Sequence, residues 1–300
     1  MAHPDQLRNY FESTRAKPAD DRWIGTEIET FFVNDGGVAI TLEQSQAILK
    51  RLTSMGWGIT ARKGELVTEV KKGSSKVLYE VGYPNIELAV CPHPREAIVT
   101  HTKSLLNELY AAAEICGSHP LFLPMYAGEG NFLAIPDERD ATWLTVDGKK
   151  AFSPLAKMSA VQFTIDISAE EAIECLNALN ARRAEFLARY PQDSVWHEYV
   201  RLSLAHYRSD RYGGPDHFNS LKHYCEELSR HAVVVGTDLL PFTHAKLENN
   251  EHIGLFLRSV WWYFRLRRYG SNLCVEVRPI SRRRDDCLQD QLDMVMDIIS

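Results

Sequence analysis

Hydrophobic positions along the chain recur with two different periods. From Trp23 to Val33 they alternate: Ile24, Thr26, Ile28, Thr30 and Phe32 fall on one face, and Trp23, Gly25, Glu27, Glu29 and Phe31 on the other. Period two predicts a strand, which the turn at Asn34 to Gly37 ends. Thr41 with Gln44 is a capping box, and Leu42, Ile48, Leu49 and Leu52 continue at helical spacing, so Thr41 to Met55 reads as a helix. Four short strands follow at Trp57 to Ala61, Glu65 to Val70, Lys76 to Val81 and Asn85 to Cys91. Their close succession, with Lys71 to Ser75 as a polar turn, predicts an antiparallel meander.

Beyond them, Pro94 to Cys116 reads as a long helix stopped by Gly117. Leu155 to Ser168 reads as a strand that feeds a helix ending near Tyr190. Trp196 to Arg230 is mainly helical around an interruption at Tyr212 to Pro215, and a last strand, Leu273 to Ile280, precedes a helix from Asp285. The chain carries no internal repeat. The sum predicts an α+β fold, residues 1–300 as one domain, with an antiparallel sheet and helices packed on one side of it.

Chemistry enters on the faces the apolar residues leave. Glu27 and Glu29 share a face about 6.6 Å apart at about 3.3 Å rise per residue. Asn85 to Cys91 puts Ile86, Leu88 and Val90 inward and Glu87 outward, and Leu273 to Pro279 puts Leu273, Val275 and Val277 inward, with Glu276 and Arg278 outward. In Met158 to Ser168 the outward set includes Gln162, Thr164 and Asp166. A single outward glutamate is what any half-exposed sheet shows. Several that converge repel one another and call for cations, and a hard, oxygen-preferring ion such as Mg2+ fits that donor set.

Charge and composition narrow the classes. The net charge of −6 supplies no general attraction to nucleic acid or to an anionic membrane, and no stretch approaches the roughly 18 apolar residues of a membrane span. The first residues, Met1 to Tyr10, show no apolar signal core, so the expected compartment is the cytoplasm. The six cysteines are scattered and read as free thiols; His217, His223 and His231 are not spaced as ligands on one helical face. Lys71 to Ser75 lacks the leading glycine of a Walker loop, Gly128-Glu129-Gly130 does not continue as a dinucleotide fingerprint, and there is no Gly-x-Ser-x-Gly elbow. The arginines at 265, 267 and 268 and at 282 to 284 read as solvated runs.

Four segments in order carry a resemblance: Trp23-Ile24-Gly25-Thr26-Glu27-Ile28-Glu29, Tyr79-Glu80 through Glu87-Leu88, Met158 through Asp166, and Cys274-Val275-Glu276-Val277-Arg278. Together they resemble the glutamate–cysteine ligase and carboxylate–amine ligase family, which has a glutamine synthetase-like fold with a curved antiparallel sheet, and within it the plant and proteobacterial branch. The resemblance implies Glu27, Glu29, Glu80, Glu87, Gln162 and Glu276 as metal ligands and Arg278 as a phosphate contact, with Glu27 and Arg278 also catalytic. It implies ATP and Mg2+ as cofactors, and amide formation between an amino-acid carboxylate and an amine through an acyl phosphate. Arg211, in Ser209-Asp210-Arg211, matches a loop near the substrate and is a candidate for its carboxylate. The chain departs from the family at Tyr83-Pro84-Asn85, where Gly-Gly-Gln is usual, and in being short. Two other functions stay open: a phosphotransferase of the same fold acting on a guanidino or other nitrogen, and a non-catalytic nucleotide-binding protein.

Overall fold

Thirteen strands and the helices between them are described in a computed structural model covering residues 2–15, 22–133 and 138–300, with 138–140 described by backbone alone. The strands are β1 (Trp23–Asn34), β2 (Gly58–Lys63), β3 (Leu66–Lys72), β4 (Ser75–Tyr79), β5 (Asn85–Pro94), β6 (Ser118–Leu121), β7 (Ala160–Ile167), β8 (Tyr212–Gly213), β9 (Val233–Val235), β10 (Asp238–Leu240), β11 (Trp261–Trp262), β12 (Phe264–Tyr269) and β13 (Asn272–Ser281). Nine of them make one antiparallel sheet in the order β12-β13-β7-β1-β5-β4-β3-β2, with β6 pairing the far end of β1. The predicted meander is the β2-β3-β4-β5 half of that sheet. The two remaining pairs, β9 with β10 and β8 with β11, are small and separate.

One face of the sheet is apolar. Ile24, Ile28, Leu88, Val161, Phe163, Ile165, Val275 and Val277 are buried there against the helices Leu42–Thr53, Arg95–Ile115 and Ala172–Ala181. Thr26 belongs to this face, where its hydroxyl meets that of Thr102 on the Arg95–Ile115 helix at 3.0 Å. The predicted capping box closes as read: the Gln44 N–H donates to Thr41 Oγ1 and the Thr41 N–H to Gln44 Oε1. Among the described residues, no helix is long and apolar enough to cross a membrane.

Four expectations are corrected. Ser153–Lys157 is a 3-10 helix, not the start of a strand; Pro154 suits a helix's first turn and has no N–H for a ladder, and β7 begins at Ala160. The helix expected to run to Tyr190 breaks at Arg182, between Ala172–Ala181 and Arg183–Leu187. The stretch expected to be mainly helical is so only at Gln192–Leu202 and Leu221–Leu228, and the glycines at 213 and 214 both hold positive φ in the extended loop between them. Finally, Arg265, Arg267 and Arg282 are buried rather than solvated.

Candidate active site on the sheet face

The face opposite those three helices collects the carboxylates, and it too meets a helix, contrary to the expectation of helices on one side: Asn250–Arg258 packs on β12 and supplies the Leu257 carbonyl to Arg265. Cross-strand register sets Glu29 directly against Glu87 on β5, Glu27 against Gln162 on β7, and Glu276 between Thr164 on β7 and Arg265 on β12. Because side chains alternate, these residues share one side of the sheet. Glu80 comes from the turn between β4 and β5, its N–H bonded to the Asn85 carbonyl at 3.0 Å. That turn brings Glu29, Glu80 and Glu87 together, with one carboxylate oxygen of each within 4.8 Å of the others.

Asn85, one of the three residues that depart from the resembled motif, positions this turn. It is buried, its side-chain amide donates to the Met158 carbonyl at 2.6 Å, and its side-chain oxygen accepts from Ser159 Oγ at 3.1 Å. Gly82 completes the fit, since a Cβ there would lie 2.7 Å from the Ala156 carbonyl oxygen. The turn carrying Glu80 is thus clamped onto the segment leading into β7.

A hydrogen-bonded relay crosses the site. Arg278 Nη1 donates to Glu276 Oε2 at 3.2 Å and to Gln162 Oε1 at 2.9 Å, and Gln162 Nε2 donates to Glu29 Oε1 at 3.1 Å. The second oxygen of Glu29 accepts the Ala160 backbone N–H at 2.9 Å. Glu276 also receives Arg265 Nε, whose Nη1 is held by the carbonyls of Leu257 and Val260 at 3.0 and 2.7 Å. Gln162, read as a metal ligand, here links the arginine side to the carboxylate side with both ends of its amide.

The electrostatics divide accordingly. Burial pushes the Glu29 carboxyl up to about 8, helped by the charge of Glu80. Glu27 is raised as well, by burial first and then by Glu276, and Arg278 only partly offsets this. Burial would raise Glu276 too, but Arg265, Arg278 and Arg267 reverse the sign and hold its carboxyl far below the usual range.

Arg211 is not brought to this face as a substrate contact. It is 1% exposed, donates to the Ala232 carbonyl and Ser259 Oγ at 3.0 and 2.9 Å, and lies over the rings of Tyr207 and Trp261. Its guanidinium is committed to packing. Sequence reasoning missed Arg265 and Arg267; the signal was their alternation with Phe264 and Leu266, which marks a strand facing Glu276. It also missed a polar aromatic group next to Arg278: the Tyr263 carbonyl accepts the Arg278 N–H at 3.0 Å, and the Tyr212 and Tyr263 hydroxyls both donate to Asp193 Oδ1.

The crystal structure of glutamate–cysteine ligase from Francisella tularensis in complex with AMP is similar to this chain with a TM-score of 0.51 and 11% sequence identity, over 95% of this chain and 68% of that one. A bifunctional glutathione synthetase from Pasteurella multocida (TM-score 0.46, 13% identity, 99% of this chain and 40% of that one) and ligand-free GmaS (0.44, 10%, 98% and 56%) are more distant in shape. No protein-family model matches the chain, and no curated protein matches it in sequence. At this identity the likeness to the Francisella ligase is one of fold.

Proposed function

We propose that this chain is an ATP- and magnesium-dependent carboxylate–amine ligase of the glutamate–cysteine ligase kind, plant and proteobacterial branch, working in the cytoplasm as one catalytic domain on a curved, glutamine synthetase-like sheet. The observation that carries the reading is the gathering of Glu29, Glu80 and Glu87, with Glu27 beside them, next to an arginine-bound Glu276 on one polar sheet face. The donor set fits Mg2+: every candidate ligand is an oxygen, and burial together with the charge of Glu80 raises the Glu29 carboxyl, a cost that a bound cation would offset. Glu29, Glu80 and Glu87 would hold one ion, and Glu27, Glu276 and the free lone pair of Gln162 would complete the metal face. Bound there, Mg2+ would draw charge from the nucleotide phosphates as a phosphoryl group transfers.

The protein's own part is positioning. Arg278, fixed by Glu276 and Gln162, presents the rest of its guanidinium to the transferring phosphate and stabilises its charge. A carboxylate oxygen of the donor, a γ-glutamyl or related amino-acid carboxylate, attacks the terminal phosphorus and ADP leaves. The acceptor amine then attacks the acyl carbon, loses a proton and expels inorganic phosphate, which leaves an amide. No protein nucleophile is needed, and site closure keeps water from the acyl phosphate.

The test is ADP release with Mg2+, ATP and pooled amino acids and amines, with mass spectrometry of the products. An amide product that disappears with Glu27→Gln, with turnover down about a thousandfold, is the expected result. Turnover that survives Glu27→Gln in a folded protein would sink the site assignment. A phosphorylated nitrogen compound as the product would make the chain a phosphotransferase, and nucleotide binding without turnover would make it a binding protein.

A further inference from the structure

On the helix side of the same sheet, β5 carries a second cluster with different chemistry. Val90 pairs with Thr26 and His93 with Ile24, so Cys91 and Pro92 together face the single residue Gly25. This is a β-bulge, and it re-aims the side chains beyond it. Strict alternation from Glu87 and Ala89 would send Cys91 to the carboxylate face. Instead its Sγ lies 3.4 Å from Ser75 Oγ, and its backbone N–H donates to the same hydroxyl at 3.2 Å; Ser75 shares its side of β4 with buried Val77 and Tyr79. His93, opposite buried Ile24, is on this side too, with Nε2 3.6 Å from Cys91 Sγ. The Arg95–Ile115 helix then delivers His101, whose ring centre is 4.2 Å from that of His93, with the planes tilted by 56°.

One sulfur and two imidazole nitrogens therefore lie within 4.8 Å of one another, all on partly exposed residues that an ion can reach. A thiolate with two imidazoles is a borderline-soft set that selects zinc-class ions over Mg2+, the reverse of the all-oxygen face across the sheet. Ser75, donating its hydroxyl to the sulfur, is the kind of outer-shell partner that steadies a thiolate ligand. We propose that Cys91, His93 and His101 form a three-ligand site, one thiolate and two imidazoles, for a single Zn2+ ion, which ties the end of β5 to the first turns of the Arg95–Ile115 helix and leaves a fourth position to water. This site does not depend on the ligase reading.

The experiment uses the full chain, stripped with a chelator and titrated with Co2+ as a spectroscopic stand-in and with Zn2+ as competitor. Expected are one Co2+ per chain with thiolate-to-metal charge-transfer absorption, displacement by Zn2+, and a higher melting temperature with Zn2+. Cys91→Ser should remove the absorption, and His101→Gln should weaken binding more than tenfold, with circular dichroism confirming that each variant folds. Glu29→Gln, on the opposite face, should leave the absorption intact. No thiolate absorption in the folded wild-type chain, absorption that persists in Cys91→Ser, or absorption lost in Glu29→Gln would each overturn the proposal. Should Cys91→Ser not fold, undiminished binding in His101→Gln would overturn it alone.

Discussion

Glu276 and Glu29 are buried to nearly the same extent, 3% and 7% exposed, yet their carboxyls move in opposite directions. Burial raises both, so what separates them is the partner each strand supplies. Glu276 faces Arg265 across the β12–β13 ladder and meets Arg278 two residues on, with Arg267 close by. Glu29 accepts hydrogen bonds from neutral dipoles alone, the Ala160 N–H and the Gln162 amide; Arg278 lowers its carboxyl from a distance, but burial and the like charge of Glu80 outweigh it. The fold neutralises the carboxylate that anchors the arginines and leaves a charge deficit at the carboxylates that would take a cation. A site prepared for Mg2+ and phosphate needs both halves, an acidic cradle and a fixed cation beside it.

The comparison breaks most sharply at Glu276. Glu276→Gln leaves buried Arg265 and half-buried Arg278 short of a counter-ion, and should cost about 3–5 kcal/mol in denaturant unfolding. Glu29→Gln should cost little, or even stabilise the magnesium-free protein. Equal losses for the two would show that the halves of the site do not differ as argued. Gln162→Ala comes next, since it removes the amide that serves Arg278 and Glu29 together; about 2 kcal/mol is expected, read from the melting temperature.

Titration sharpens the contrast because the signs differ. The raised carboxyl of Glu29 contributes stability that is present below the ordinary carboxylate range and is lost as pH rises through about 8. Glu276 is depressed, so its contribution is present above the ordinary range and is lost only as pH falls towards its folded value. Between about pH 7 and about pH 9 the magnesium-free protein should therefore lose on the order of 1 kcal/mol, and Mg2+ should remove the slope. A flat profile without Mg2+ would refute the charge deficit at Glu29.

How much of this was legible in the sequence depended on whether a residue's environment lies on its own strand. Glu27, Glu29, Glu87, Glu276 and Arg278 could be placed on one face because each sits in a run with apolar neighbours at period two, and the faces alternate locally. Arg265 and Arg267 alternate with Phe264 and Leu266 in the same way, which marks their strand, but their burial is decided by Glu276 on the neighbouring strand, and a run of arginines without that partner looks solvated. Arg282 differs in having its carboxylate, Asp285, three residues on, but it is the distant Thr30 and Tyr110 that help bury it fully. Arg211 failed in the opposite direction: a loop motif suggested a free guanidinium, while Tyr207 and Trp261, the second of them far along the chain, enclose it. The bulge that turns Cys91 towards His93 was equally invisible, since it exists only in the pairing of β5 with β1.

The smallest effect is the most discriminating, because its sign should invert with the ion. Glu80 raises the carboxyls of both Glu29 and Glu27, so Glu80→Gln removes like charge from two neighbours at once, one buried and one half-buried. Without Mg2+, the variant should be more stable than the wild type by up to about 1 kcal/mol at alkaline pH, with the pH-dependent loss displaced upward in stability and downward in Glu29's midpoint. With saturating Mg2+ the order should reverse, since the same change deletes a ligand and lowers the affinity that stabilises the bound state. Melting curves of both proteins with and without Mg2+ decide the matter. A variant less stable in both conditions would mean that Glu80 serves the turn between β4 and β5 rather than the cation, and the three-carboxylate cradle would lose one of its members.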